Sequence, residues 1–107
     1  MLSIIEERNG TNTTTRLEGD LVAGNLEPIT TRLKALIAEG VTDIRLDFTT
    51  VVAIDSAGVG FLAAVHNTIK KQNGTLLVKG LSREMYQFFV SLRLNAHFKI
   101  EAREEGG

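Results

Sequence analysis

The sequence predicts a single α/β domain built on a mixed β-sheet, and three observations support this fold class. Segments with helical spacing of apolar residues alternate with short segments rich in β-formers. An early Asn9-Gly10 pair predicts a hairpin, which adds an antiparallel pair to an otherwise parallel sheet. With 107 residues, the chain can bury one core but not two. We therefore expect one domain over 1–107, with its core at about 2–100 and a charged tail at 101–107.

The first part of the chain predicts a hairpin followed by a helix. Two short strands flank Asn9-Gly10, and the threonines after the turn suit a pleated strand. In NLEPITTRLKALIAEG, Pro28 falls in the first helical turn, where its missing N–H is harmless, and Gly40 is a natural stop. The apolar residues with helical spacing are Leu26, Ile29, Leu33, Leu36 and Ile37.

The second part of the chain repeats the alternation of strand and helix. VTDIRLDF alternates apolar and charged residues, which predicts a strand that continues loosely toward Ile54. A helix is predicted from Gly58 to Asn73, with a core stripe of Leu62, Val65 and Ile69. TLLVKGL predicts another strand, and HFKIEARE predicts a last short one. Between them Ser82 precedes a helix whose predicted buried residues are Met85, Phe88 and Phe89.

The composition excludes several classes of protein. A formal net charge of −1 leaves no basic excess for a nucleic-acid backbone. The absence of cysteine excludes disulfides and thiolate metal sites, and it fits a reducing compartment. Glu6 and Glu7 come too early for the core of a signal peptide, and no apolar stretch is long enough to span a bilayer. We therefore expect a cytoplasmic domain without nucleic-acid partners or membrane insertion.

The most informative segment is VVAIDSAGVGFLAAV, in which an acid and a hydroxyl interrupt an apolar run at the start of a helix. Asp and Ser side chains accept hydrogen bonds from the unpaired N–H groups of a helix N-terminus. On this interpretation Asp55 or Ser56 is an N-cap, and Gly58 and Gly60 allow close packing. The local pattern favours this structural role.

The sequence predicts no catalytic site at this junction. The nucleophile elbow Gly-x-Ser-x-Gly is absent, because Ile54 stands two residues before Ser56. His66 is nearly three turns along the same helix, and nothing places His97 near the junction. The short GVG segment lacks the Gly-Lys-Ser/Thr of a phosphate-binding loop. Two histidines without an acidic cluster predict no metal site. We therefore expect a protein that has no enzymatic activity of its own and binds no metal or cofactor.

Phosphorylation is a third possible use of Ser56. A phosphate at a helix start meets the positive end of the helix dipole and unpaired N–H donors, so the fold tolerates it. The outer surface would gain up to two negative charges. Beside Ser56, the small residues Val59, Gly60 and Ala63 lie off the predicted core stripe and could form a docking surface, although small residues on a helix more often pack against a neighbour.

Nearly the whole chain, from about Leu2 to Ile100, resembles the STAS domains, most closely the bacterial anti-sigma factor antagonists. The motif is an apolar strand bearing an aspartate followed by Asp-Ser-(Ser/Thr/Ala)-Gly-(Leu/Val)-Gly. Its residues are here Asp47, Asp55, Ser56, Gly58 and Gly60. Gly19-Asp20 and Asn25 resemble the family's turn before the first helix.

The resemblance implies a phosphorylation switch at Ser56. The partner would be an anti-sigma factor that is itself a serine kinase; it would bind the unphosphorylated form, and a serine phosphatase would reset the phosphorylated form. We predict a docking surface of Asp20, Asn25, Asp55, Ser56, Val59 and Ala63. The alternative is a STAS subunit of a membrane lipid-transfer or transport complex, or a signalling scaffold, without a phosphoswitch.

Three residues depart from the family pattern. Ala57 removes a second hydroxyl often found beside the acceptor. Arg93 stands where glycine is usual, and a residue with a Cβ is disfavoured in the left-handed conformation of a helix stop, which predicts a different helix end. His97 replaces a usually apolar residue, which predicts a more open edge there.

Overall fold

The computed structural model describes residues 2–104 as a five-stranded sheet with three helices, which confirms the predicted α/β fold with a mixed sheet. The strands lie in the sheet in chain order. They are β1 (Ser3–Asn9), β2 (Asn12–Glu18), β3 (Asp43–Asp47), β4 (Thr75–Leu81) and β5 (Lys99–Ala102). The helices are α1 (Glu27–Ala38), α2 (Ser56–Lys71) and α3 (Arg83–Ser91). None of these three helices, within residues 2–104, has the length and apolar character needed to cross a lipid bilayer.

The helices cover one face of the sheet. β1 pairs antiparallel with β2, and β2, β3, β4 and β5 pair in parallel. All three parallel crossovers step in the same direction, so right-handed connections place α1, α2 and α3 on the same side. Burial follows this arrangement, because Ile44 and Leu46 of β3 are buried while Arg45 between them is exposed. The opposite face of the sheet is therefore the more exposed one, and Thr13 and Thr15 of β2 are polar residues buried on the helix-covered face.

The hairpin forms where the Asn-Gly pair predicts it, but its turn lies one residue later. Asn9 still pairs with Asn12 across the strands, which leaves Gly10 and Thr11 as the two turn residues. Gly10 has a φ of 64°, a backbone conformation that glycine adopts without the steric cost of a Cβ. The predicted hairpin is therefore confirmed, but only the glycine of the Asn9-Gly10 pair lies in the turn, where it supplies the positive φ.

The predicted core is confirmed except at Phe88. Leu62, Val65 and Ile69 of α2 are buried, and Phe89 of α3 packs edge-on against Phe48, with ring centroids 6.1 Å apart. Phe88 is 42% exposed, so its predicted burial was wrong. α3 has only nine residues and buries a narrow stripe of Met85 and Phe89, and the next residue along a helix is rotated about 100° away from such a stripe.

Two boundaries differ from the prediction. β3 ends at Asp47 instead of continuing toward Ile54, which forms only an isolated parallel bridge with Leu21. β5 continues to Ala102, past the position where we expected the core to end and the charged tail to begin. The N–H of Arg103 also donates to the carbonyl of Leu81 at 2.8 Å. Residues 105–107 of the expected tail lie outside the described residues.

The end of α3 contradicts the expectation for Arg93. After the C-cap Leu92, Arg93 adopts the left-handed conformation that glycine favours, with φ 59° and ψ 27°. This conformation costs a residue with a Cβ about 1–2 kcal/mol. The helix therefore ends as it would with glycine, and Arg93 carries the strain.

Replacing Arg93 with glycine is expected to stabilise the fold. Relief of the strain exceeds the entropy that glycine adds to the unfolded chain, so Arg93→Gly should raise the free energy of unfolding by about 0.5–1 kcal/mol. Urea denaturation measures the change. The control is Asn73→Gly, where φ is 58° but asparagine tolerates the conformation, so the gain should be smaller. A less stable Arg93→Gly variant would contradict the assignment of strain.

Candidate functional site

The candidate site is built around Asp55, the N-cap of α2. Its backbone is extended, with φ −115° and ψ −174°, and its Oδ1 accepts a hydrogen bond from the N–H of Gly58 at 3.0 Å. Its Oδ2 accepts from the N–H of Ala23 at 3.0 Å, in the loop between β2 and α1. One carboxylate thus satisfies a donor of the helix and a donor of the loop. Of the two candidates that the sequence offered for the N-cap, Asp55 and Ser56, the structure shows that Asp55 caps the helix.

The loop at residues 19–26 is tied to the segment before Asp55 by further hydrogen bonds. Leu21 donates its N–H to the carbonyl of Ala53 at 3.0 Å. Ala53 donates its own N–H to Oδ1 of Asp20 at 3.2 Å. Asn25 donates its side-chain N–H to the carbonyl of Asp20 at 3.1 Å. The fold therefore brings Asp20 and Asn25 to the start of α2, where Asp55 and Ser56 lie.

Close packing at this junction depends on Gly58 and not on Gly60. A Cβ on Gly58 would lie 2.1 Å from the carbonyl oxygen of Leu21 and 2.7 Å from Cγ1 of Ile54. A Cβ on Gly60 would meet nothing within 4 Å. The absent side chain of Gly58 lets α2 approach the loop, so the predicted role in close packing applies to this glycine alone.

Ser56 is the first residue of α2 and is exposed. Ala63, about two turns further along the same helix, is also exposed, as is Gly60 between them. Val59 is different, because it is half-buried and packs against the core, which corrects our prediction that it lies off the core stripe. The term "Ser56 surface" is used below for Ser56, Gly60 and Ala63 with the loop at residues 19–26.

Asp47 of the sequence motif supports a turn. It is the last residue of β3, and its Oδ1 accepts from the N–H of Thr49 at 2.9 Å and from the hydroxyl of Thr49. A Cβ on Gly80 of the neighbouring strand would lie 2.7 Å from this same carboxylate oxygen. Asp47 therefore shapes the end of β3, from which the chain leads to Asp55.

Neither histidine is a base for Ser56. His66 lies about 15 Å along the axis of α2 from Ser56, at the rise of 1.5 Å per residue. His97 lies beside His66, with ring centroids 6.1 Å apart, and is exposed, as the prediction of a more open edge implies. The two imidazoles therefore form a pair far from the Ser56 hydroxyl.

Sequence reasoning missed two features of the site. Ala23 has no informative side chain, because it contributes its backbone N–H to Asp55. Val52 is 84% exposed although it lies in an apolar run. The prediction that β3 continues toward Ile54 gave no indication of this exposure. The Thr49-Thr50 pair was the available signal, because hydroxyl residues favour turns and predict a break in the strand.

The charge of Asp55 is expected to stabilise the fold in a pH-dependent way. The N–H of Ala23, and then that of Gly58, hold the pKa of the Asp55 carboxyl below its usual range. A depressed folded-state pKa contributes stability above the unfolded value of about 3.9, and this contribution is lost as the pH falls through the folded value. Asp55→Asn should therefore be less stable than the parent at pH 7, with a difference that shrinks as the pH falls below about 4.

Urea denaturation of both proteins across this pH range measures the effect. Asparagine can still cap the helix, but its single carbonyl oxygen replaces two carboxylate oxygens. The matched control is Asp43→Asn, at the start of β3 and away from this junction. A difference between the parent and Asp55→Asn that stays constant with pH would contradict the role assigned to the carboxylate.

The STAS domain family model matches residues 3–106. The chain belongs to the STAS domain family. This STAS domain is 29% identical over 90 residues to the anti-sigma-B factor antagonist of Bacillus subtilis (strain 168), which covers 80% of this chain and 83% of that relative.

Solved structures show the same fold. An anti-sigma factor antagonist from Mycobacterium paratuberculosis superposes with a TM-score of 0.79 at 16% identity, covering 96% of this STAS domain and 87% of that chain. The phosphorylated form of the Bacillus cell-fate determinant SpoIIAA superposes with a TM-score of 0.74 at 23% identity, covering 95% and 93%. These similarities establish the architecture in which the Ser56 surface lies.

Proposed function

We propose that this STAS domain is an anti-sigma factor antagonist whose binding is switched by phosphorylation of Ser56. Unphosphorylated, it binds an anti-sigma factor that is also a serine kinase; phosphorylated, it releases that partner until a serine phosphatase resets it. The observation that carries the proposal is the exposed Ser56 directly after the capping Asp55, on a surface shared with the loop at residues 19–26. The relative from Bacillus subtilis, named an anti-sigma-B factor antagonist, supports it.

The switch acts on the partner interface rather than on the fold. A phosphate on Ser56 adds up to two negative charges at the N-terminus of α2, where the helix dipole favours an anion. Burying a dianion against groups arranged for a neutral serine costs several kcal/mol. The phosphorylated protein therefore dissociates while remaining folded.

The protein acts in this scheme as a substrate and ligand of other proteins. Ser56 is exposed, so a kinase and a phosphatase can both reach its hydroxyl without unfolding α2. Its role would be that of a binding module of bacterial transcription control in the cytoplasm. The alternative, a STAS subunit of a membrane lipid-transfer or transport complex, needs no modification of Ser56.

Mapping the phosphorylation site tests the proposal. The protein is incubated with ATP and a candidate partner serine kinase, and the products are analysed by mass spectrometry. We expect one phosphate, on Ser56, and none on Ser56→Ala. The control is Ser82→Ala at the start of α3, where the hydroxyl caps the helix by accepting from the N–H of Met85 at 3.1 Å. Phosphate on another residue, or none on the parent, would overturn the proposal.

A further inference from the structure

The tripeptide Asn-Gly-Thr occurs twice in the chain, and the fold places the two copies in different surroundings. The first copy is residues 9–11 at the turn between β1 and β2, and the second is residues 73–75, where α2 leads into β4. An asparagine followed by glycine is prone to spontaneous deamidation, because glycine has no side chain to obstruct attack by its backbone nitrogen. The local sequence predicts equal reactivity for the two copies, so a difference between them must come from the tertiary structure.

Deamidation of an Asn-Gly pair is an intramolecular reaction that needs only water and base. The backbone nitrogen of glycine loses its proton and attacks Cγ of the asparagine side chain, and the side-chain amide nitrogen leaves as ammonia. Water then opens the resulting cyclic imide at either carbonyl, which gives aspartate or isoaspartate. The attack requires a glycine N–H that is not committed to a hydrogen-bond acceptor, and a backbone that can rotate to bring this nitrogen to Cγ.

The first copy meets both requirements. Asn9 and Gly10 are exposed, and Gly10 lies in the turn beyond the last pair of the ladder, Asn9 and Asn12. Within residues 2–104, the N–H of Gly10 donates to no backbone or side-chain acceptor. A Cβ on Gly10 would meet nothing within 4 Å, so no packed neighbour holds this part of the backbone. β1 is an edge strand, and the end of an edge hairpin opens at low free energy.

The second copy meets neither requirement. The N–H of Gly74 donates to the carbonyl of Ile69 at 3.0 Å, and the next N–H, of Thr75, donates to the carbonyl of Thr42 at 3.0 Å. A Cβ on Gly74 would lie 2.0 Å from the same carbonyl oxygen of Thr42, so the backbone of Gly74 packs directly against the segment before β3. The nitrogen of Gly74 can attack only after the end of α2 and the start of β4 have separated from their neighbours.

We propose that Asn9 is a site of spontaneous deamidation in this protein and that the fold protects Asn73. Aspartate or isoaspartate at residue 9 adds a negative charge to the end of the hairpin. Isoaspartate also adds a methylene group to the main chain directly before the turn, where it disturbs the pairing of β1 with β2. The turn lies at the opposite end of β2 from the loop at residues 19–26, so the inference does not depend on the phosphorylation switch.

Peptide mapping by mass spectrometry tests the proposal on the folded full chain incubated at mildly alkaline pH. Asn9 should convert at least about tenfold faster than Asn73, because the end of a hairpin opens at lower free energy than a packed helix end. In guanidinium chloride, which removes the fold, the two identical tripeptides should convert at rates within about threefold of each other. Equal rates in the folded protein, or faster conversion of Asn73, would overturn the proposal.

A matched pair of glutamine variants identifies the reacting residue independently. Asn9→Gln should abolish the fast conversion, because the longer side chain closes the cyclic imide much more slowly. Asn73→Gln should leave the rate at Asn9 within about twofold of the parent, since the two copies lie at separate places in the fold. Fast conversion that persists in Asn9→Gln would show that another asparagine reacts, and the assignment would then be wrong. Ser56→Asp should not change the rate at Asn9, so a failure of the switch does not affect the test.

Discussion

Ser56→Asp is expected to bind the partner kinase at least about a hundredfold more weakly than the parent, while melting at a similar temperature. An interface arranged for a neutral serine must bury a new charge, at a cost of several kcal/mol. The fold is affected little, because an anion in the first turn of a helix is favoured by about 0.3–1 kcal/mol. Isothermal titration calorimetry and thermal denaturation measure the two quantities separately.

Two variants control this experiment. Ser56→Ala keeps the site neutral and should bind within a few-fold of the parent. Asn67→Asp adds the same charge at an exposed position of α2, about three turns from Ser56, and should also bind normally. Parent-like affinity of Ser56→Asp for the kinase would show that the start of α2 lies outside the interface. Ser56 would then be only the first residue of a capped helix.

Gly58→Ala is expected to destabilise the protein by about 3 kcal/mol or more. The new methyl group would lie 2.1 Å from the backbone carbonyl oxygen of Leu21, so α2 or the loop at residues 19–26 must move. Overpacking usually costs about 1–3 kcal/mol, and a backbone group can yield less than a flexible side chain. Urea denaturation at pH 7 measures the loss.

The matched control is the same substitution two residues later. Gly60→Ala enters open space on the exposed side of the helix and should stabilise α2 by up to about 1 kcal/mol. Opposite signs for the two variants would locate the contact at Gly58. If Gly58→Ala were as stable as Gly60→Ala, the close approach of α2 to Leu21 would be incorrect.

The order and type of the elements could be predicted from local patterns. Helical spacing predicts α1 and α2 because an amphipathic helix must bury one stripe, and Leu62, Val65 and Ile69 are indeed buried. The same argument failed for Phe88, because spacing alone does not give the width of the stripe that a short edge helix buries. The prediction for the end of α3 failed differently, because Arg93 adopts the left-handed conformation despite the steric cost of its Cβ.

The sequence by itself determined the capped start of α2, since Asp-Ser before an apolar helical stripe is a local signal that the geometry of Asp55 confirms. Only the tertiary structure decided which residues share a surface with Ser56. The carboxylate of Asp55 reaches the N–H of Ala23, and Leu21 lies against Gly58, although more than thirty residues separate these pairs. The tertiary structure likewise brings His66 beside His97. Such contacts arise from the order of parallel strands, which places distant segments at one end of the sheet, and no local spacing encodes that order.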